Sequence, residues 1–310
     1  MPADSADPSS SPLVRRSRQA WLTLCRRLEG WSATRRALAW SASAGLLFSV
    51  LNAIARELSL QLHPYESQFL RYALGLVVML PLVARAGMAV YRTPRVGAHF
   101  VRGAVHTVGL VLWYLALPRI PLADMTAIGF TAPIFILIGA AIFLSEPMRR
   151  EHWVASGVGL LGVLVVLGPR LSGQGGWWHL VMLASAPVFA ASFLLTKALT
   201  RTDSAGVIVV WQSISVALFS LPLAASVWQW PSAAQWVGFT ICGVLGSAGH
   251  YCLTRSFRSA DISATQGAKF LDLLWATLLG WAVFGDAPTA STLIGGAIIS
   301  AATVWLARRS

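Results

Sequence analysis

The strongest chemical signal in this 310-residue chain is a polar stripe inside an apolar stretch. Asp261, Thr265, Lys269 and Asp272 fall at i, i+4, i+8 and i+11, one face of an α-helix, with Gln266 alongside. A charge at the centre of a membrane helix costs roughly 2.5–3.5 kcal/mol on insertion scales, so a polar residue kept there needs a reason. Lys269 and Asp272 are near enough along such a helix to pair, which lowers that cost and lets a substrate compete for either partner. The plainer reading is a permanent ion pair that locks the helix to a neighbour. Lys269, one of two lysines in the chain, is the first choice for binding a substrate carboxylate.

Other apolar stretches carry similar intruders. Arg102, His106, Gly109 and Trp113 share one helical face, with Tyr114 next to it. Arg102 lies close enough to a helix end to snorkel and reads as an anchor. His106 fits a proton carrier, a substrate ligand or an ordinary helix-to-helix hydrogen bond. Trp113 and Tyr114 fit the wall of a cavity or an interfacial aromatic belt. His250 and Tyr251 follow Gly243, Gly246 and Gly249, a spacing that allows close helix approach. Glu66 and Arg71 share an earlier stretch, where Glu66 is a candidate proton acceptor and Arg71 either binds substrate or ties carbonyls across helices. Asn52 and Thr131, the latter beside Pro133, are weaker cavity candidates, because proline frees a carbonyl that can line a polar cavity. The substrate-binding candidates are thus Lys269, Asp272, Gln266, His106, Trp113, Tyr114, His250, Tyr251, Arg71, Asn52 and Thr131, and the proton-coupling candidates Glu66, Asp272 and His106.

What must position these residues follows from composition. Apolar residues make up 56% of the chain and charged residues 12%, against about 25% charged in an ordinary soluble domain. The apolar residues come in runs long enough for a bilayer. Ten spans are expected, near 37–56, 65–84, 97–117, 121–144, 152–168, 177–197, 204–226, 235–255, 261–284 and 290–307. Residues 1–36 form a leader, in which Trp21, Leu24, Leu28 and Trp31 recur at helical spacing among arginines, as in a helix lying in the headgroup region or a basic segment that sets orientation. With the N-terminus in the cytosol, 18 of the 24 Lys and Arg residues fall on the inner side and 3 on the outer, which supports ten spans with both termini cytosolic. The net charge of +12 is therefore a membrane-orientation signal and not a nucleic-acid footprint. Three cysteines (Cys25, Cys242, Cys252) form no CxxC, so neither a disulfide framework nor a zinc site is indicated.

The spans also repeat. At an offset of 140, Gly103 falls on Gly243, Gly109 on Gly249, Phe130 on Phe270 and Glu146 on Asp286, and Gln212 falls on Arg71 at 141. Residues 37–168 and 176–307 thus make two five-helix units. Five is odd, so the second unit must enter the membrane upside down, an inverted repeat of the kind secondary transporters use to expose a midplane site alternately to each side. The stretch 118–168, which contains GFTAP (residues 129–133) and a Glu at the end of an apolar helix, resembles the first repeat of EamA-type members of the drug/metabolite transporter superfamily. HPYESQFLRYALG, residues 63–75, is similar to the second helix of that family. In the second repeat Leu273 replaces the counterpart of Pro133, and Asp286 that of Glu146. The resemblance covers residues 37–307 and implies an all-α, ten-helix secondary transporter.

No G-x-x-x-x-G-K-[ST], HExxH or GxSxG occurs, so ATP hydrolysis through a Walker loop and two common hydrolase chemistries are not indicated. The expected function is alternating-access transport, outward, of a small polar or zwitterionic metabolite such as an amino-acid derivative or an opine-type metal chelator. A riboflavin-like vitamin or a lipid-linked sugar is the alternative cargo, and an integral membrane transferase is the reading from a different class. The expected partners are a small molecule and membrane lipids, without nucleic acid, metal or cofactor, and a homodimer stays open. The expected location is a bacterial inner membrane.

Overall fold

The structure, a computed structural model, describes residues 31–129, 131–145, 150–171, 176–265 and 270–309. Among these every regular element is helical: α1 (Ala33–Gln61), α2 (Pro64–Ala86), α3 (Val96–Ala116), α4 (Leu122–Gly129), α5 (Ala132–Leu144), α6 (Arg150–Leu171), α7 (Gly176–Leu199), α8 (Ala205–Ala225), α9 (Ala233–Ser259), α10 (Ile262–Thr265), α11 (Phe270–Phe284) and α12 (Ala290–Arg309). A 3-10 turn at Met88–Tyr91 joins α2 to α3. Most of the leader, and Lys269 and Gln266 with it, lie outside the described residues. The first helix begins at Ala33, four residues before the sequence places it, because the Ser32 hydroxyl accepts from the Arg35 amide and starts the helix there.

The helix ends are written in the sequence in the same way. Ser204 accepts from the Val207 amide, and Ser232 with Gln235 forms a reciprocal capping box at the start of α9. Pro64 opens α2 and Pro133 opens α5, where a missing N–H costs nothing. Gly285, at φ +68, ends α11 in a backbone conformation that a side chain would strain.

Helices α1, α2, α7, α8 and α9 are long and apolar enough to cross a membrane, and Ala132–Leu144, Trp275–Phe284 and Ala290–Ala302 are shorter apolar helices. Large apolar side chains such as Leu82, Phe143, Leu161, Trp177 and Val237 face outward. In water such a surface would be an association site, and against hydrocarbon it is the required one.

Helix pairing obeys the 140-residue offset. α1 packs on α9 as α7 packs on α3; α2 packs on α9 as α8 packs on α3; α5 packs on α7 as α11 packs on α1; and α2–α8 and α6–α12 are their own counterparts. The tightest crossings show it atom by atom. A Cβ on Gly243 of α9 would come within 2.6 Å of the Gly75 nitrogen of α2, and a Cβ on Gly103 of α3 would overlap the Ser215 side chain of α8. Gly75 and Ser215 differ by 140, as do Gly103 and Gly243. The α2–α9 crossing is backbone against backbone, so Gly243→Leu must push two helices apart. That substitution is expected to lower the apparent melting temperature of the detergent-solubilised protein by several degrees or to remove the monodisperse fraction, the overpacking cost being about 1–3 kcal/mol or more. A wild-type melting curve for Gly243→Leu would refute the packing assigned to this crossing.

Candidate substrate cavity

A cavity of about 210 Å³ opens where helices of both repeats meet. On α1, Gly45, Ser49 and Asn52 fall on one face, and Phe48 projects beside them. Arg71 enters from α2, His106 and Trp113 from α3, Thr126 from α4, Phe189 and Phe193 from α7, His250 from α9 and Asp272 from α11. Six of the sequence candidates are thereby brought together: Asp272, His106, Trp113, His250, Arg71 and Asn52. The walls between them are apolar and aromatic. Phe189 and Phe193 stack with ring centroids 6.2 Å apart, and the edge of His250 meets Phe48 at 5.0 Å.

Glycines make room for the charged groups. A Cβ on Gly246 would come within 3.0 Å of two nitrogens of the Arg71 guanidinium, and a Cβ on Gly45 would overlap the Asp272 carboxylate. Arg71 also lies over the Tyr72 ring, 4.6 Å from its centroid. Among the described residues no carboxylate forms an ion pair with Arg71. A buried guanidinium without an anion is an expensive arrangement unless an anion visits.

The two cavity histidines belong to a polar layer whose centre, Tyr72, the sequence does not single out. The Tyr72 hydroxyl sits 3.0 Å from His106 Nε2 and 3.1 Å from His250 Nε2. His106 Nδ1 meets the Ser192 hydroxyl at 3.0 Å, and Gln212 Nε2 lies 3.3 Å from His250 Nε2. Tyr72 has one proton, so it donates to one imidazole and accepts from the other, and the chain has two proton arrangements. Tyr72→Phe leaves two buried ring nitrogens without their shared partner. It is expected to destabilise the protein by about 1–3 kcal/mol, read as a lowered melting temperature in detergent. An unchanged melting temperature would remove Tyr72 from the role of connector. Tyr72 and Gln212 are counterparts at the 140-residue offset and meet at 3.5 Å, which places the pair where the two repeats face each other.

Arg102 is the clearest departure from expectation. Its guanidinium does not snorkel: the residue is 2% exposed, with Nε donating to the Thr196 hydroxyl and Nη2 to Gln212 Oε1 at 2.7 Å. The helix-end argument failed because α3's neighbours α7 and α8 close over that end and offer acceptors in the interior.

The remaining candidates stand apart from the cavity walls. Tyr114 is fully buried against Trp113. Tyr251 packs edge-on against Trp40, 6.4 Å away. Thr131 is buried and donates to the Ile128 carbonyl at 2.8 Å. Glu66 is buried in the first turn of α2, accepting from the Gln229 amide at 3.2 Å, and its other oxygen has no hydrogen-bond partner among the described residues. Of the polar stripe, Thr265 is buried with its hydroxyl on the Ile262 carbonyl, Asp261 is exposed, and Asp272 alone reaches the cavity among the described residues. Among the described residues no cluster of three His, Cys, Asp or Glu side chains offers a metal site.

At the rims, polar contacts tie the helices together, most of them between the two repeats. Arg56 pairs with Asp286 and lies over the Phe284 ring, while Asp124 of α4 accepts from Thr292 of α12 at 2.6 Å and meets His179 of α7 at 3.3 Å. At the opposite end His99 and Asp203 are 3.3 Å apart, and Lys197 donates to the Phe257 and Ala260 carbonyls.

An apolar-surfaced helical bundle with a charged cavity at the seam of two repeats is the architecture of a membrane transporter. The chain belongs to the EamA-like transporter family, whose profile matches residues 35–168 and 176–308. It is 32% identical to a riboflavin transporter of Rhizobium johnstonii, over 87% of this chain and 90% of that protein. It is 29% identical to an S-adenosylmethionine uptake transporter of Rickettsia bellii, over 83% and 88%. A pseudopaline exporter of Pseudomonas aeruginosa is 28% identical over 86% and 93%. One solved structure superposes with a TM-score of 0.68 at 22% identity, covering 88% of this chain and 98% of that one, a likeness of fold. The protein is a transporter and not an enzyme.

Proposed function

We propose that the protein is a secondary transporter of a zwitterionic amino-acid derivative with a planar or apolar side group. In this reading ten spans form two inverted five-helix units, 37–168 and 176–307, in the inner membrane with both termini cytosolic. The observation that carries it is the pairing of charges in one cavity: Arg71, buried with no carboxylate partner among the described residues, and Asp272 line the same space between aromatic walls. Arg71 takes the substrate carboxylate through a bidentate hydrogen bond, Asp272 takes the ammonium, and Phe48, Trp113 and Phe189 cover the side group. Lys269, the first choice from sequence, lies outside the described residues and is assigned here to the same polar stripe as Asp272.

A cavity of about 210 Å³ is smaller than the ~300–1,000 Å³ of sites for drug-sized ligands, so a nucleoside-sized cargo requires the bundle to open toward one side. Alternating access supplies that opening. Without an ATP site the flux follows gradients, and the outward direction expected from sequence holds where the cargo is made inside. Glu66, His106 and Asp272 are the groups we assign to proton coupling.

Purified protein in liposomes preloaded with unlabelled S-adenosylmethionine is expected to accumulate the labelled compound by counterflow. Riboflavin, favoured by the aromatic walls and by the relatives, is the second cargo to load, and an opine-type chelator the third. Counterflow of riboflavin alone would replace the zwitterion reading. Absence of counterflow for all three would overturn it.

A further inference from the structure

Among the described residues two arginines are buried, Arg71 and Arg102, and only Arg71 lines the cavity. Arg102 is 2% exposed and meets three acceptors, the Thr196 hydroxyl, the Ile208 carbonyl at 3.4 Å and Gln212 Oε1 at 2.7 Å, all of them neutral. Among the described residues no carboxylate forms an ion pair with it. A guanidinium used only as a brace would normally be given a carboxylate, since a buried charge on neutral acceptors keeps most of its desolvation cost.

The surroundings of the two arginines are related by the repeat. Arg71 on α2 rests against Gly246 on α9, close to the crossing of Gly75 with Gly243. At the counterpart crossing, Gly103 of α3 against Ser215 of α8, Gln212 of α8, one residue past the position that matches Arg71 at the 140-residue offset, meets Arg102 of α3. Each half-site therefore holds one guanidinium, contributed by the second helix of the unit in one case and by the third helix in the other. Between them lies the layer in which Tyr72 bridges His106 and His250. Arg71 lines the cavity on one side of that layer, whereas Arg102 is bonded to Gln212 on the other side and is one turn from His106 on α3.

We propose that Arg102 is a second carboxylate-binding site, the inward counterpart of Arg71, which receives the substrate carboxylate from the Arg71 site when the bundle opens toward the N-terminal end of α3. This rests on the zwitterion reading above. In an inverted repeat the change of access exchanges the environments of the two halves, so the half-site that is sealed in this conformation becomes the open one. The bond to Gln212 holds Arg102 while no carboxylate is present, and the substrate displaces it. The carboxylate passes from one guanidinium to the other, and no covalent bond changes.

Two measurements test this. In the first, Arg102→Cys and Arg71→Cys are made in a chain whose Cys25, Cys242 and Cys252 are serine, and are treated with a membrane-impermeant thiol reagent in right-side-out and inverted vesicles. Arg102→Cys is expected to react from the cytosolic side and Arg71→Cys from the outer side. A position 102 that is unreactive from the cytosol would be a sealed brace and would overturn the proposal. In the second, half-saturation by S-adenosylmethionine is measured from each side in oriented liposomes. Arg102→Gln is expected to raise the cytosolic value about 10-fold or more while the outer value moves within about twofold, and Arg102→Lys to recover most of the loss. Decarboxylated S-adenosylmethionine, which lacks the anion, is expected to be insensitive to Arg102→Gln. Equal weakening from both sides, or for both compounds, would overturn the assignment. If the wild-type protein carries no S-adenosylmethionine, the zwitterion reading fails by itself, and thiol labelling still decides whether Arg102 lies on the inward path.

Discussion

Arg71→Gln is expected to lower counterflow of S-adenosylmethionine by about 10- to 100-fold while leaving the amount of folded protein near wild type. The magnitude is that of losing charge-assisted hydrogen bonds to a carboxylate, about 1.5–3 kcal/mol. Folding should survive because Arg71 forms no ion pair with a described carboxylate whose loss would leave a buried charge unpaired. Removing the guanidinium removes a desolvation cost instead. Arg71→Lys keeps the charge but not the planar fork, and should fall between the two. Loss of folded protein in Arg71→Gln, at unchanged transport per molecule, would make the arginine a structural brace.

Asp272→Asn is the second large effect, and its value lies in selectivity. If Asp272 meets an ammonium group, its neutral amide should cost S-adenosylmethionine about 10- to 100-fold, whereas riboflavin, which has no ammonium, should be carried as well as before. Lys269→Ala in the same assay asks whether the neighbouring lysine is a brace for Asp272 or a ligand. Equal loss for both cargoes would place Asp272 in the transport cycle itself, as a proton carrier. No loss for either would remove it from the site. Gly45→Val offers a check through geometry, since a side chain there overlaps the Asp272 carboxylate and should reproduce part of the Asp272→Asn phenotype without touching a charge.

Much of the candidate site was legible because a membrane interior punishes charge. Arg71, Asp272, His106 and His250 stood out as polar residues in apolar runs, and each lines the cavity. Trp113 shares its helical face with His106, and Asn52 was a weaker candidate as a polar residue in an apolar run. Tyr114 and Tyr251, chosen by adjacency, are not among the residues that line the cavity, since neighbours in a helix sequence lie about 100° apart around its axis. Tyr72 was passed over because a tyrosine in an apolar run looks like any core aromatic, and only its two imidazole partners distinguish it. Arg102 was misread for the opposite reason. Closeness to a helix end is visible in sequence, but the cover supplied by α7 and α8 is not.

The sequence by itself determined the helical fold class, the apolar runs and the repeat at 140 residues. These are local or periodic properties, set by hydropathy and spacing. The tertiary structure alone decided which polar residues share a space. That depends on which helices cross, and the crossings are made by contacts between residues far apart in the chain, such as Gly75 with Gly243 and Gly103 with Ser215. Such contacts depend on the fit of two surfaces, and one helix's periodicity does not contain the shape of its partner. The repeat shows that two halves correspond, but only the packed bundle shows that Arg71 meets the cavity while Arg102, on the other side of the Tyr72 layer, is held by Gln212.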